Sequence, residues 1–231
     1  MFHKVLPGPT NALTVTPDQL REQLEFLRQR QYAVISLDTL LTTLRTPGGK
    51  LPRRAVLLTF DDAYENNLTY ALPVLQAFGA SAVLFVPTAF VGGRNEWDGG
   101  TDALMTREQL LTASAGGFEL AYHSHRHRHF GQLSADAIRA DLTESRLAAD
   151  RAGLPLKPAF AYPYGGRPKN AASRQAMHDA LTEAGIELAF RIGNRVNGWP
   201  LRELLGINRL DIRGNESMRT FRRKLRWGKL L

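Results

Sequence analysis

Two neighbouring carboxylates, Asp61 and Asp62, follow the apolar run AVLLTF at 55–60. Placing both at the end of a buried strand is costly, because each carboxylate loses water and repels the other's charge. A bound cation relieves that cost, and it would leave one carboxylate to coordinate and the other to act as a base. The alternative interpretation is structural, with an aspartate capping the helix that follows the strand.

A second cluster, between 123 and 129, holds four histidines within seven residues. Both the pair His123 and His127 and the pair His125 and His129 have a spacing that suits a shared metal, and spacing alone does not choose between them. The chain has no cysteine, so any metal must be held by imidazole and carboxylate groups. Two histidines and one carboxylate from another strand would leave positions open for water and substrate. Without such a carboxylate, a solvated His/Arg loop explains the cluster equally well.

Apolar runs and amphipathic stretches alternate along the chain and predict the elements that position these residues. Strands are expected at 33–36, 55–60, 82–86, 118–121, 159–161, 188–190 and 209–212, and helices at 16–30, 68–79, 134–152 and 170–184, with a further helix that begins at the capping box 106–109. Regular alternation predicts a parallel sheet and favours an α/β barrel in a single domain. The polar clusters then fall at the carboxyl ends of the strands, where barrels carry their chemistry.

Composition sets the domain organisation and the class of partner. The chain has 231 residues and a net charge of +8, and residues 213–231 hold seven basic side chains against one acidic. We therefore predict a barrel over 1–212 and a basic amphipathic tail over 213–231. The tail's apolar face, formed by Met218, Phe221 and Leu225, suits an anionic membrane surface or a solvated terminal helix, and no nucleic-acid partner is expected. No signal peptide or spanning segment is recognised, which predicts a cytoplasmic protein, free or at the inner membrane face.

Three segments together resemble the motifs of the polysaccharide deacetylases, the metal-dependent carbohydrate esterases related to chitooligosaccharide deacetylase. These are LTFDDAYENN at 58–67, HSHRH at 123–127 and FAYPYGG at 160–166. The resemblance implies a distorted (β/α)7 barrel and removal of N-acetyl groups from an amino-sugar saccharide.

The resemblance also implies a role for each motif residue. Asp61 would be the catalytic base, and Asp62, His123 and His127 would hold one divalent transition metal, with zinc the default and cobalt, nickel or iron as alternatives. The third motif, Tyr162, Pro163 and Tyr164, would line the substrate, and a backbone N–H near Tyr164 would bind the oxyanion.

The chain departs from the family pattern at three places. The glycine usual after the aspartate pair is Ala63. The arginine that orients the base in many members is replaced by Ala161, and we expect Arg209 to substitute for it. The late Leu-x-His that supplies a general acid is absent, and His3 in MFHKV takes that role in the branch resembling poly-N-acetylglucosamine deacetylases.

Other activities on the same scaffold stay open from sequence alone. The acyl group removed would be a formyl group on a lipid-linked amino sugar, or an O-acetyl ester on a polysaccharide. A catalytically inactive sugar-binding relative is a further alternative, suggested by the missing arginine of the third motif.

Overall fold

A curled sheet of six parallel strands forms the centre of the computed structural model, which describes residues 1–97 and 99–228. Its strand order is β10-β9-β8-β7-β6-β5, so consecutive strands are neighbours, as in a barrel wall. Two further parallel pairs, β1 with β2 and β3 with β4, stand beside this half-barrel. The predicted α/β barrel is confirmed.

Helices follow most of the strands and cover the outside of the sheet. The described strands are β1 (Lys4–Val5), β2 (Thr14–Val15), β3 (Ala33–Ile35), β4 (Ala55–Leu57), β5 (Thr59–Phe60), β6 (Ala82–Val86), β7 (Phe118–Tyr122), β8 (Lys157–Ala161), β9 (Leu188–Ile192) and β10 (Ile207–Arg209). The described α-helices are α1 (Pro17–Gln29), α2 (Leu37–Arg45), α3 (Leu72–Ala77), α4 (Arg107–Gly116), α5 (Ala135–Ala152), α6 (Ala171–Glu183) and α7 (Met218–Trp227).

Local sequence explains where the elements begin and which face they bury. Helix α1 begins at a capping box in which the Thr16 side chain accepts from the Gln19 N–H, and α4 repeats the arrangement at Thr106. In β6 every residue is buried, as expected of a strand covered on both faces.

The first two residues of the chain extend the barrel wall beyond β5. The Phe2 N–H donates to the Thr59 carbonyl at 2.8 Å, and the Asp61 N–H donates to the Phe2 carbonyl at 2.9 Å. On the other side, the Ile212 N–H donates to the Met1 carbonyl at 3.1 Å. The segment therefore bridges β5 and the chain that follows β10, and it brings His3 next to the aspartate pair.

The structure contains strands β1 and β2, which were not predicted, and it divides the predicted strand 55–60 into β4 and β5. Two further differences concern α2 and the last strand. Helix α2 was not predicted, although Ser36 caps it and Leu37, Leu40 and Leu41 form its buried face. The last strand lies at 207–209 and not at 209–212, because 210–212 pairs with the N-terminal segment instead of β9.

The basic tail contains α7, which packs on the barrel through its apolar face. Phe221 is buried against Phe26 of α1, with ring centroids 6.1 Å apart, and Lys224 is also buried and donates to the Asp211 carbonyl. Residues 229–231 of the predicted tail lie outside the described residues. None of the described helices is both long and apolar enough to span a bilayer.

Candidate metal and catalytic site

The residues at the carboxyl ends of the strands adopt backbone conformations that side chains normally avoid. Asp62, Ala63, Ser124, His127 and Tyr164 all have φ between 50° and 72°. Such conformations cost free energy, and their concentration in the three motif segments marks this edge of the barrel as a functional site. Ala63, where the family usually has glycine, adopts the left-handed conformation with φ 55°.

Asp62, His123 and His127 converge at this edge. His123 Nε2 lies 3.3 Å from Asp62 Oδ1, and His127 Nε2 lies 3.1 Å from the same oxygen. One ligand atom from each residue lies within 4.8 Å of the other two, and all three side chains are buried. The predicted set of two imidazoles and one carboxylate is therefore assembled in space.

The hydrogen bonding of these side chains fits a cation. His123 Nδ1 donates to the Ala161 carbonyl oxygen at 2.8 Å, which fixes the tautomer and leaves the Nε2 lone pair facing Asp62. Asp62 Oδ1 is buried and has no hydrogen-bond partner among the described residues. Three potential ligand atoms facing one point in a buried site have the arrangement that a metal ion would fit.

The alternative histidine pair is directed elsewhere. His125 Nδ1 bonds the Thr88 hydroxyl at 3.0 Å, and its Nε2 lies 3.7 Å from Glu144 on α5. The His129 ring stacks on Tyr164 with centroids 6.2 Å apart. Neither ring belongs to the cluster around Asp62, so the structure selects His123 and His127.

Asp61 is held by a buried guanidinium. Arg209 Nη1 and Nη2 donate to the two carboxylate oxygens at 2.6 and 2.8 Å, in a bidentate pair. Burial alone would raise the pKa of Asp61, but the charge and hydrogen bonds of Arg209 outweigh it and the pKa is lowered. Asp61 is therefore ionised at neutral pH. Arg209 supplies the guanidinium group that the third motif lacks, since that motif has Ala161 in place of an arginine.

His3 lies beside this pair, on the N-terminal segment. Its carbonyl accepts from Asn67 Nδ2 at 2.8 Å, and its charge is among the influences that lower the pKa of Asp61. The Nδ1 atom of His3 is buried without a hydrogen-bond partner among the described residues. The structure thus places this histidine at the site.

The third motif contributes one side chain to the site and sends another into the core. The Tyr164 ring meets His127 edge-on with centroids 4.8 Å apart, and it is half exposed. Tyr162 is fully buried in the core with Phe160, and its hydroxyl donates to the Leu205 carbonyl at 2.8 Å. Pro163, between them, is buried and begins the 3-10 turn that aims Tyr164 at the histidines. The structure therefore does not bring the Tyr162 side chain to the site.

Two residues of the site were missed in the sequence. Trp97 stacks on the His127 ring with centroids 3.9 Å apart and an interplanar angle of 20°; a lone tryptophan in a polar, glycine-rich loop was the available signal. Asp141 of α5 is fully buried and accepts the backbone N–H of His125 at 2.8 Å and of Arg126 at 3.3 Å. The sequence signal for Asp141 was an acidic residue on the helix face that otherwise carries the apolar side chains Ile138, Leu142 and Ala149.

A parallel barrel with a candidate histidine–aspartate metal site and a paired carboxylate beside it is typical of metal-dependent hydrolases. The sequence profile of the polysaccharide deacetylases matches residues 48–185, which is more than half of the chain. The protein belongs to the polysaccharide deacetylase family.

Individual relatives point to one branch of that family. A poly-β-1,6-N-acetyl-D-glucosamine N-deacetylase of Staphylococcus aureus is 25% identical over 160 residues, covering 66% of this chain and 54% of its own. Among solved structures, IcaB from Ammonifex degensii has a TM-score of 0.79 at 20% identity, covering 98% of this chain and 94% of its own. The Streptococcus pyogenes deacetylase PplD has a TM-score of 0.78 at 22% identity, covering 97% and 96%. The two structures establish the shared fold, and the chain spans about half the length of the curated relatives it matches.

Proposed function

We propose that the protein is a metal-dependent deacetylase that removes N-acetyl groups from an amino-sugar saccharide. The observation that carries the proposal is the convergence of Asp62, His123 and His127 beside Asp61, whose carboxylate is paired with Arg209. Family membership and the poly-N-acetylglucosamine deacetylase relative support the same reaction.

The metal would be held by Asp62 Oδ1, His123 Nε2 and His127 Nε2. A divalent transition metal bound there supplies Lewis acidity, which polarises the acyl carbonyl and makes a water molecule acidic. Zinc is the default for such ligands, and cobalt, nickel and iron are alternatives.

The remaining steps belong to the chain's own residues. Asp61 accepts a proton from the attacking water, since Arg209 keeps its carboxylate ionised and oriented. Tyr164 and Pro163 border the substrate, and a backbone N–H near Tyr164 stabilises the oxyanion. His3 delivers a proton from its imidazole to the departing amine, which is otherwise a poor leaving group.

The decisive experiment separates the base from a metal ligand. We expect Asp61→Asn to keep stoichiometric metal but to lose acetate release from N-acetylglucosamine oligomers, because only the proton acceptor is removed. His123→Ala is expected to lose both metal and turnover. Metal content by elemental analysis and acetate by coupled assay are the two measurements.

A matched control uses His125, the neighbouring histidine that faces Thr88 and not Asp62. His125→Ala is expected to retain metal. Full activity in Asp61→Asn, or unchanged metal content in His123→Ala, would contradict the assignment. Formate release from an N-formylated amino sugar, with no acetate release from the N-acetylglucosamine oligomers, would place the same chemistry on a formyl group.

The substrate is proposed as an N-acetylglucosamine polymer or oligomer, a precursor of one, or a lipid-linked sugar. Peripheral membrane contact through residues 213–231 is a further proposal. The apolar face of α7 is already buried on α1, so such contact would use the outward arginines Arg219, Arg223 and Arg226.

A further inference from the structure

A cavity lies in the wall of the barrel, and none of the proposed metal ligands lines it. It has a volume of about 1080 Å³ and is lined by residues of β4, β10, α1 and α7. Ligand pockets in proteins commonly enclose about 300–1,000 Å³, so this one has room for an extended molecule.

The inside of this wall cavity is mainly apolar. Its apolar lining includes Leu24, Leu27, Leu57, Ile207, Leu210 and Leu225, and the buried polar side chains Gln23, Thr59 and Arg209 also line it. A mainly apolar surface favours a hydrocarbon chain as its occupant.

The rim of the wall cavity is cationic. Six exposed arginines contribute to its lining, namely Arg30, Arg53, Arg54, Arg195, Arg222 and Arg226. No aspartate or glutamate lines it, and none of the six forms an ion pair with a carboxylate within the described parts of the chain. The positive charge is therefore not neutralised by the protein itself.

Three of these arginines are gathered around two aromatic rings. The guanidinium groups of Arg222 and Arg30 lie 5.0 and 5.9 Å from the Phe26 ring centroid, and that of Arg54 lies 5.7 Å from the Tyr32 ring. The two rings are 6.5 Å apart, so the charges share one patch of surface. Guanidinium groups bind phosphate oxygens with directional, charge-assisted hydrogen bonds.

We infer that the wall cavity binds a lipid with a phosphate headgroup, its acyl chain inside and its phosphate at the arginines. Apolar lining and unneutralised arginines meet at one opening, and an anionic lipid matches both. Free phosphate would leave the apolar interior unmatched, and a neutral lipid would leave the arginines without a partner. None of Asp61, Asp62, His123 or His127 lines the cavity, but Arg209 and Thr59 do, so the lipid assay is run without saccharide or metal to keep the two proposals separate.

The test is a titration of the metal-free protein with 16-carbon lysophosphatidylglycerol below its micelle-forming concentration, followed by calorimetry. We expect saturable one-to-one binding. Glycerophosphoglycerol, which is the headgroup without the acyl chain, is expected to bind at least about 100-fold more weakly because it lacks the chain. Monopalmitoylglycerol, which has the chain but no charge, is expected to bind about 10-fold more weakly.

Matched variants separate the rim from general surface charge. Arg30→Glu/Arg222→Glu is expected to weaken lysophosphatidylglycerol binding by about 10-fold or more. Arg146→Glu/Arg151→Glu reverses two exposed charges on α5, outside the cavity lining, and is expected to leave binding unchanged. Leu57→Trp, which fills the interior, provides a second test once its unfolding midpoint shows that it folds.

Three results would overturn the inference. These are no saturable binding of lysophosphatidylglycerol, equal losses in the two charge-reversal pairs, and unchanged affinity in a folded Leu57→Trp variant. Because no saccharide or metal enters this assay, failure here leaves the deacetylase proposal intact, and failure of acetate release leaves the lipid site intact.

Discussion

Arg209 shows how one side chain can take the place of another that is missing from a motif. It reaches Asp61 from β10, a strand distant in sequence, and satisfies both carboxylate oxygens. Because the pair is buried, the guanidinium charge acts in a medium that screens it poorly. We therefore treat Arg209 as a positioning residue that also sets the protonation of the base.

Arg209→Met is expected to shift the pH dependence of turnover. The pKa of Asp61 is lowered by Arg209, and without this arginine burial would raise it, so the carboxylate would take up its proton at higher pH. The acidic limb of the kcat profile should therefore move to higher pH. Measuring kcat against pH with saturating metal checks this.

Arg209→Lys serves as the conservative control. It keeps the charge and loses the bidentate geometry, so its acidic limb should lie between those of the original protein and of Arg209→Met. An Arg209→Met profile that coincides with the original would show that another group sets the protonation of Asp61.

Helix α5 supports the histidine loop through Asp141, and this defines a prediction at the scale of the element. Asp141→Ala removes the acceptor for two backbone N–H groups between the metal ligands. We expect a loss of about 1–3 kcal/mol in the free energy of unfolding. Because the loop would no longer fix the ligand histidines, metal affinity should fall by about 10–100-fold.

The control for this variant lies on the same helix. The Asp136 side chain is 97% exposed, so Asp136→Ala should change neither quantity appreciably. Urea unfolding of the metal-free protein and a metal titration give the two values. Metal affinity that is equal in the two variants would exclude a role for Asp141 in holding the loop.

Sequence predicted the elements whose signals are local and missed those that depend on tertiary pairing. The Thr16 capping box and the apolar run of β6 are complete within a few residues, and both elements formed as expected. Strand ends also predicted a metal site formed by an aspartate and two of the four histidines, but spacing left two histidine pairs open, and only the family resemblance favoured His123 and His127. The position of β10 was not predictable, because residues 210–212 pair with Met1, which is distant in sequence.

At the scale of the whole molecule, the N-terminal segment stabilises the barrel. Phe2 is 3% exposed and stacks on Phe60 with ring centroids 5.0 Å apart. Phe2→Ala should therefore cost about 3–5 kcal/mol in the free energy of unfolding. Leu147→Ala, at a side chain that is 45% exposed, should cost less than about 0.5 kcal/mol. Urea denaturation of the two variants is the measurement. Similar unfolding midpoints would show that the N-terminal segment does not stabilise the barrel.

The pairing of the N-terminal segment with residues 210–212 also imposes an order on the assembly of the site during synthesis. The three proposed metal ligands have all been synthesised once residue 127 has been made, and domains tend to fold from the N-terminal side. Arg209 is separated from Asp61 by 148 positions and Leu210 from Met1 by 209, so these contacts can form only after residues 209 and 210 have been made. A nascent polypeptide can therefore bring the proposed metal ligands together before the proposed catalytic base, Asp61, acquires its arginine.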